Sequence, residues 1–246
     1  MKNRIWLTGD VHHMTMNGHD QKLLIKNGSG YTEVELCAPY LEIANQYGFE
    51  PTLFFTGKAI LEEGNTIKEL MNKYNLFIGG HTFSAYRPNI ISRISNKIIS
   101  SPYINRYSQY LDIKKTQVII EDNLGMITKK WRNHAYRTDR HTYQILSELG
   151  FLQVSNEVNQ EKYYEEKVCG DLCSLPINTL PDHENLLHSA EHDGGLHADE
   201  WVRQNIKCIQ RVMNRKGVAT LLLHPLCMYL EDDFHSMKKL LSALSH

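Results

Sequence analysis

Long apolar runs are what this sequence most plainly lacks. No stretch approaches the ~20 apolar residues that a membrane-crossing helix requires, so insertion into a membrane is not expected. An excess of either charge is missing too: 27 Lys and Arg stand against 28 Asp and Glu, a formal net charge of −1. A nucleic-acid groove needs a concentrated basic stripe. The densest basic segments, "KK" at 114–115 and "KKWR" at 129–132, are too short to make one. Cysteine is sparse and odd in number, five in all, with no CxxC pair. Cys169 and Cys173 in "CGDLC" are near enough in sequence for a disulfide, but two reduced thiols are the simpler reading. No charged-then-apolar leader precedes the first strand-like run, and a cytoplasmic protein is the expectation. Repeats, low-complexity tracts and linkers are also missing, which predicts a single domain over 1–246, large enough for a real core.

Histidine, by contrast, is plentiful at thirteen, and its placement matters more than its number. Apolar strand-like runs alternate with helical patterns. "RIWLTG" (4–9), "PTLFFTG" (51–57), "LFIGGH" (76–81) and "VATLLLHP" (218–225) read as buried strands. A helix is expected within 33–47, starting late because Pro39 is tolerated only in a first turn, and ending at Gly48. Further helices are expected in "KAILEEGNTIKELMNKY", in "HTYQILSELGF" up to Gly150, over 198–214, and in the amphipathic "FHSMKKLLSAL". The stretch 87–126 reads as mostly helical with a strand at "TQVII" (116–120). Residues 12–32 read as a long loop, and both it and the His-rich segment 182–197 are expected to line a pocket.

Strands alternating with helices predict an α/β fold with a parallel sheet, whose sites form at the C-terminal ends of the strands. Asp10, His81 and His224 each stand where an apolar run gives out. Alternation along "DVH" puts Asp10 and His12 on one side and Val11 opposite, while His13 is left free to point away. A hydrolytic site of the zinc type needs about three N or O ligands and an open position. A carboxylate can then take a proton and an imidazole hand one to a leaving amine. "GDVHH", "GGH" and "LLLHP" together contain those parts.

With these motifs in order, the chain resembles the polysaccharide deacetylases, the NodB-homology group also called carbohydrate esterase family four. "EPTLFFTGKAI" is similar to that family's "TFFVTG" strand, "NLFIGGHTFSAYRP" to its "EIGNHTYSH" motif, "HAYRTDRHTYQILSELGF" to its "FRxPxG…LxxLGY" segment, and "VATLLLHP" to its closing "LLH" motif. "SLPINTLPDH" followed by "LLLHP" looks like the branch that includes allantoinase-like proteins, in which the first motif is D-V-D or D-V-E. The resemblance implies a distorted (β/α) barrel of about seven strands. It implies Asp10 as general base, Arg137 as the arginine that orients it, and His224 as general acid. It puts His12 and His81 at metal positions, with His13 a further candidate, and Asp182, His183 and Tyr136 beside the substrate. Two positions depart from the family pattern. His12 replaces the second acid of the first motif, and Ala85 replaces the second histidine of "HTxSH". The expected triad is therefore rebuilt, from His12, His81 and one of Asp10 or His13, and such a His-rich set suits a divalent ion, zinc above all.

The function implied is that of a metal-dependent amidohydrolase taking an N-acetyl group from an amino sugar during intracellular polysaccharide or lipopolysaccharide synthesis. Two alternatives remain open at this point. One is hydrolysis of a small cyclic amide or imide. The other is an inactive, carbohydrate-binding relative. In each the partner is a small molecule or glycan rather than nucleic acid, and the oligomeric state is left undetermined.

Overall fold

Strand β1 (Ile5–Val11) lies inside the sheet, and its residues are buried from Leu7 onward. It hydrogen-bonds in parallel to β2 (Thr52–Phe55) on one side and to β8 (Ala219–Leu222) on the other. A parallel strand covered on both faces reads as one apolar run, which is why these strands were visible in the sequence. Gly9 is required here, because a Cβ on it would lie 2.5 Å from the carbonyl oxygen of Leu223. The molecule is described by a computed structural model over residues 4–16, 21–22, 30–86, 101–186 and 195–245. Parts of the expected loop 12–32 and of the His-rich segment 182–197, and residues 87–100, lie outside the described residues.

From β2 the sheet continues through β3 (Phe77–Gly80), β4 (Lys130–Trp131), β5 (Gln153–Val154) and β7 (Leu172–Ser174), every pair parallel. Strand β6 (Glu166–Cys169) closes that edge as an antiparallel partner of β7. The order β6-β7-β5-β4-β3-β2-β1-β8 is a distorted, incompletely closed (β/α) barrel with seven parallel strands. Helices α1 (Cys37–Gln46), α2 (Gly57–Lys73), α3 (Arg106–Leu124), α4 (Thr142–Glu148), α6 (Ala198–Asn214), α7 (Pro225–Asp232) and α8 (His235–Ser245) follow the strands, and the short α5 (Asp182–Asn185) precedes α6. Pro39 falls in the first turn of α1, where its missing N–H costs nothing, and Gly48 and Gly150 take positive φ after α1 and α4 as expected. The main core packs Leu7, Leu53 and Leu221 of the strands against Tyr40, Ile60, Trp201 and Leu240 of the helices.

One expectation is corrected. "TQVII" is not a strand but part of α3, whose buried Gln109, Ile113, Thr116, Gln117, Ile120 and Leu124 recur at helical spacing. β-branched composition had outweighed the period there. Beyond β5 the chain also forms the β6–β7 hairpin, turned at Gly170 with positive φ. In that hairpin Cys169 stands opposite Leu172, and Cys173 opposite Lys167, so the two cysteines are not cross-strand partners, and none of the five cysteines is in a disulfide.

The gap between β7 and β8 is spanned by the segment that leads into α5. The Asn178 amide donates to the carbonyls of Lys162 and Val218, both at 2.9 Å, and its Oδ1 accepts from the Thr220 N–H at 2.9 Å. Thr179 Oγ1 donates to the Thr220 carbonyl at 2.9 Å. Side chains here do what a backbone ladder does elsewhere in the sheet. Among the described residues, no helix is long and apolar enough to cross a membrane.

Candidate active site

Asp10 occupies the C-terminal end of β1 and is buried at 3% exposure. A carboxylate in that position must be paired or neutralised. The Arg132 guanidinium, itself fully buried just beyond β4, meets it with Nη1 2.9 Å from Oδ1. Arg132 is fixed from every side. Its Nε donates to the Ser155 carbonyl at 3.1 Å, its Nη2 to Thr8 Oγ1 at 3.1 Å and Ser155 Oγ at 3.0 Å, and its plane lies 4.5 Å from the Phe54 ring centre. Burial pushes the Asp10 carboxyl up, but Arg132, with His81 and His224 behind it, more than reverses this and holds it well below the usual carboxylate range. Asp10 is therefore ionised.

Two groups of imidazoles flank the Asp10 Oδ2. His81, the first residue past β3, brings Nε2 to 3.8 Å from it, and His224, at the N-cap of α7, brings Nε2 to 3.7 Å. On the first side, His12, His81 and His134 form a near-equilateral triangle with ring centres 5.3, 5.1 and 5.4 Å apart. Their facing nitrogens lie within 4.8 Å of one another, the spacing of ligands around one ion. Each ring has one nitrogen that is buried and without a hydrogen-bond partner: Nε2 of His12, Nε2 of His81 and Nδ1 of His134. Buried polar atoms are normally satisfied, so three orphans converging on one point fit a bound cation. The other ring nitrogens of two of them are engaged. His81 Nδ1 lies 2.9 Å from the Arg132 carbonyl, and His12 Nδ1 lies 3.1 Å from Glu33 Oε2. Burial pushes the His81 imidazole down to about 3, and that of His134 well below its ordinary value. Both are neutral at physiological pH, as metal ligands must be.

On the second side, Asp182 heads α5 and is fully buried. Both of its oxygens grip His224: Oδ2 accepts the backbone N–H at 2.5 Å and Oδ1 lies 2.6 Å from Nδ1. Burial lowers the His224 imidazole, yet Asp182 outweighs it and raises the group to about 9. His224 is therefore protonated at neutral pH, with Nε2 turned to Asp10. The His183 ring stands over it at 4.7 Å, and Tyr136 faces His183 at 6.1 Å, its hydroxyl buried and without a partner.

Asp10, His12, His81, His224, Asp182, His183 and Tyr136 thus join one cluster, linked pair by pair at 6.1 Å or less. Two other candidates do not. Arg137 is exposed, five residues past the guanidinium that reaches Asp10, and Arg132 holds the place expected for it. His13 points away from the triangle; it is buried with Nδ1 3.3 Å from Thr56 Oγ1, the hydroxyl that caps α2. The residues that sequence reasoning missed are Arg132 and His134. Both follow a two-residue strand too short to show a period, and His134 rides on a 3-10 turn (His134–Tyr136) in which Ala135 and Tyr136 take positive φ. Ala85, buried at 2%, carries no ligand, and His134 supplies the third imidazole instead.

No family model and no curated protein matches this chain in sequence. Solved structures do share its fold. A Mycobacterium smegmatis protein assigned as a polysaccharide deacetylase superposes with a TM-score of 0.75 at 15% identity, over 98% of this chain and 83% of that one. PuuE allantoinase superposes with a TM-score of 0.72 at 12% identity, over 98% and 84%. A Bacillus anthracis pseudoenzyme of carbohydrate esterase family four gives 0.57 at 14% identity, over 99% and 60%. The distorted barrel expected from the motifs is the fold these proteins have.

Proposed function

We propose that this chain is one catalytic unit, a metal-dependent amidohydrolase that removes the N-acetyl group from an amino sugar. The observation that carries the reading is the position of Asp10: one ionised carboxylate within 3.8 Å of the neutral His81 and within 3.7 Å of the protonated His224. His12, His81 and His134 would hold the ion, and three nitrogen donors with an open position suit zinc. Such an ion, when bound, polarises a carbonyl oxygen and acidifies water enough for a weak base to deprotonate it.

The chain's own residues account for the remaining tasks. Asp10 accepts a proton from the water that attacks the amide carbonyl. Arg132 keeps Asp10 charged and fixes the direction of its free oxygen. His224 donates its Nε2 proton to the departing nitrogen, and Asp182 keeps that proton in place between turnovers. Tyr136 and His183 stand beside His224, and the Tyr136 hydroxyl, buried and without a partner, is a donor for a substrate oxygen. The naming of deacetylases among the structural neighbours supports a glycan substrate. Five cysteines without a disulfide fit a reducing compartment, and so a nucleotide- or lipid-linked sugar rather than finished cell wall.

The allantoinase neighbour supports a second reading, hydrolysis of a small cyclic amide by the same groups. The pseudoenzyme neighbour supports a third, glycan binding without turnover, against which the three orphaned imidazole nitrogens argue. Zinc-loaded protein should release acetate from N-acetylated nucleotide sugars, and Asp10→Asn should abolish it. Ring opening of cyclic amides without acetate release would favour the second reading. Silence on both panels from protein that contains zinc would favour the third.

A further inference from the structure

Glu33 is a buried carboxylate, 4% exposed, that the proposed reaction does not use. It lies just ahead of α1, 21 residues along the chain from His12. Among the described residues it has no lysine or arginine partner, and its ion pair is with His12 alone. Its Oε2 accepts the backbone N–H of His12 at 2.9 Å and stands 3.1 Å from Nδ1 of the same residue, while the Gln21 amide donates to its other oxygen. Two contacts from one oxygen to one histidine fix both the position of the ring and its tautomer. Nδ1 carries the proton and Nε2, bare and unpartnered, faces His81 and His134. His81 is held by the same nitrogen, but against the neutral carbonyl of Arg132. The two rings are therefore not equivalent donors.

A buried anion with only a histidine for company is costly unless positive charge lies beyond that histidine. Three imidazoles bring no charge to a divalent ion, and a carboxylate one ring away both neutralises part of it and strengthens the ring as a donor. We infer that Glu33 is a positioning residue for a cation held by His12, His81 and His134: it aims His12 and supplies the negative charge the three rings lack. The inference rests on the reading of that triangle as a metal site, and the experiment below separates the two.

Zinc affinity is measured by chelator competition on metal-free wild type and Glu33→Gln, alongside the visible spectrum of the cobalt-substituted proteins and the melting temperature of the metal-free ones. Glu33→Gln keeps the shape and one acceptor oxygen. The expected result is one zinc per wild-type chain, an affinity lower by about 10–100-fold in the variant, and a shifted cobalt spectrum. A purely structural Glu33 would lower the metal-free melting temperature and leave affinity and spectrum alone, and that result overturns the inference while the metal site stands. Wild type without zinc overturns both. Should Glu33→Gln not fold, Gln21→Ala decides instead, since it frees the other carboxylate oxygen: a several-fold loss of affinity supports the inference, and unchanged affinity overturns it.

Discussion

The imidazole of His224 is bracketed by two carboxylates, with Nδ1 2.6 Å from Asp182 and Nε2 3.7 Å from Asp10. Because the folded group titrates near 9 rather than at the ordinary 6.5, its pairing stabilises the fold fully below about 6.5. That contribution is lost as pH rises through about 9. Activity that depends on the protonated ring follows the same alkaline limb. In Asp182→Asn the limb of kcat/KM moves to lower pH by at least about one unit. A pH profile that does not move would remove His224 from the acid's role.

The assignment of the third imidazole separates two neighbours of the same residue type. His134→Ala lowers bound zinc from one per chain toward none, measured by elemental analysis after desalting. His13→Ala keeps the zinc, although loss of its buried ring and of the contact with Thr56 lowers stability. Equal zinc in the two variants would break the triangle as a metal site.

Arg132 and Arg137 differ as sharply. Arg132→Ala takes from the buried Asp10 its one direct guanidinium partner, and denaturant unfolding should show a loss of about 3–5 kcal/mol together with loss of activity. Arg137→Ala, at an exposed position, stays within about 0.5 kcal/mol of wild type.

Gly9→Ala tests the sheet beneath the site. Its new methyl would stand 2.5 Å from a backbone oxygen and 2.9 Å from a Leu53 methyl, so β1 must shift away from the chain beyond β8. A loss of about 1–3 kcal/mol is expected, or roughly 2–4 °C in melting temperature for each kcal/mol in a protein of this size. An unchanged melting curve would show that the contact is slack.

The parts legible in the sequence were those carried by long, one-sided patterns. β1, β2, β3 and β8 are continuous apolar runs that end on polar groups, so Asp10, His81 and His224 could be picked out by position alone. Asp182 came from its motif, and its grip on His224 from no local signal. Arg132 and His134 stayed hidden because β4 has two residues, too few to distinguish from "KKWR" as a surface cluster. His134 depends on left-handed backbone at Ala135 and Tyr136, a conformation that neither residue type advertises. The β6–β7 hairpin was missed for a similar reason: its strands are short, and its edge position leaves Glu166 and Lys167 exposed, without a buried face to set a period.

The Asn178 bridge has a reach beyond its three bonds. It matches Asn178 to Thr220, and four residues further along each segment stand Asp182 and His224. This amide, with the Thr179 hydroxyl beside it, therefore sets the alignment by which His224 meets the carboxylate that charges it. Slippage by one residue at this joint would turn Asp182 away and leave His224 an ordinary buried, neutral ring. The charge on His224 is thus governed from the barrel wall, at a distance from Asp10.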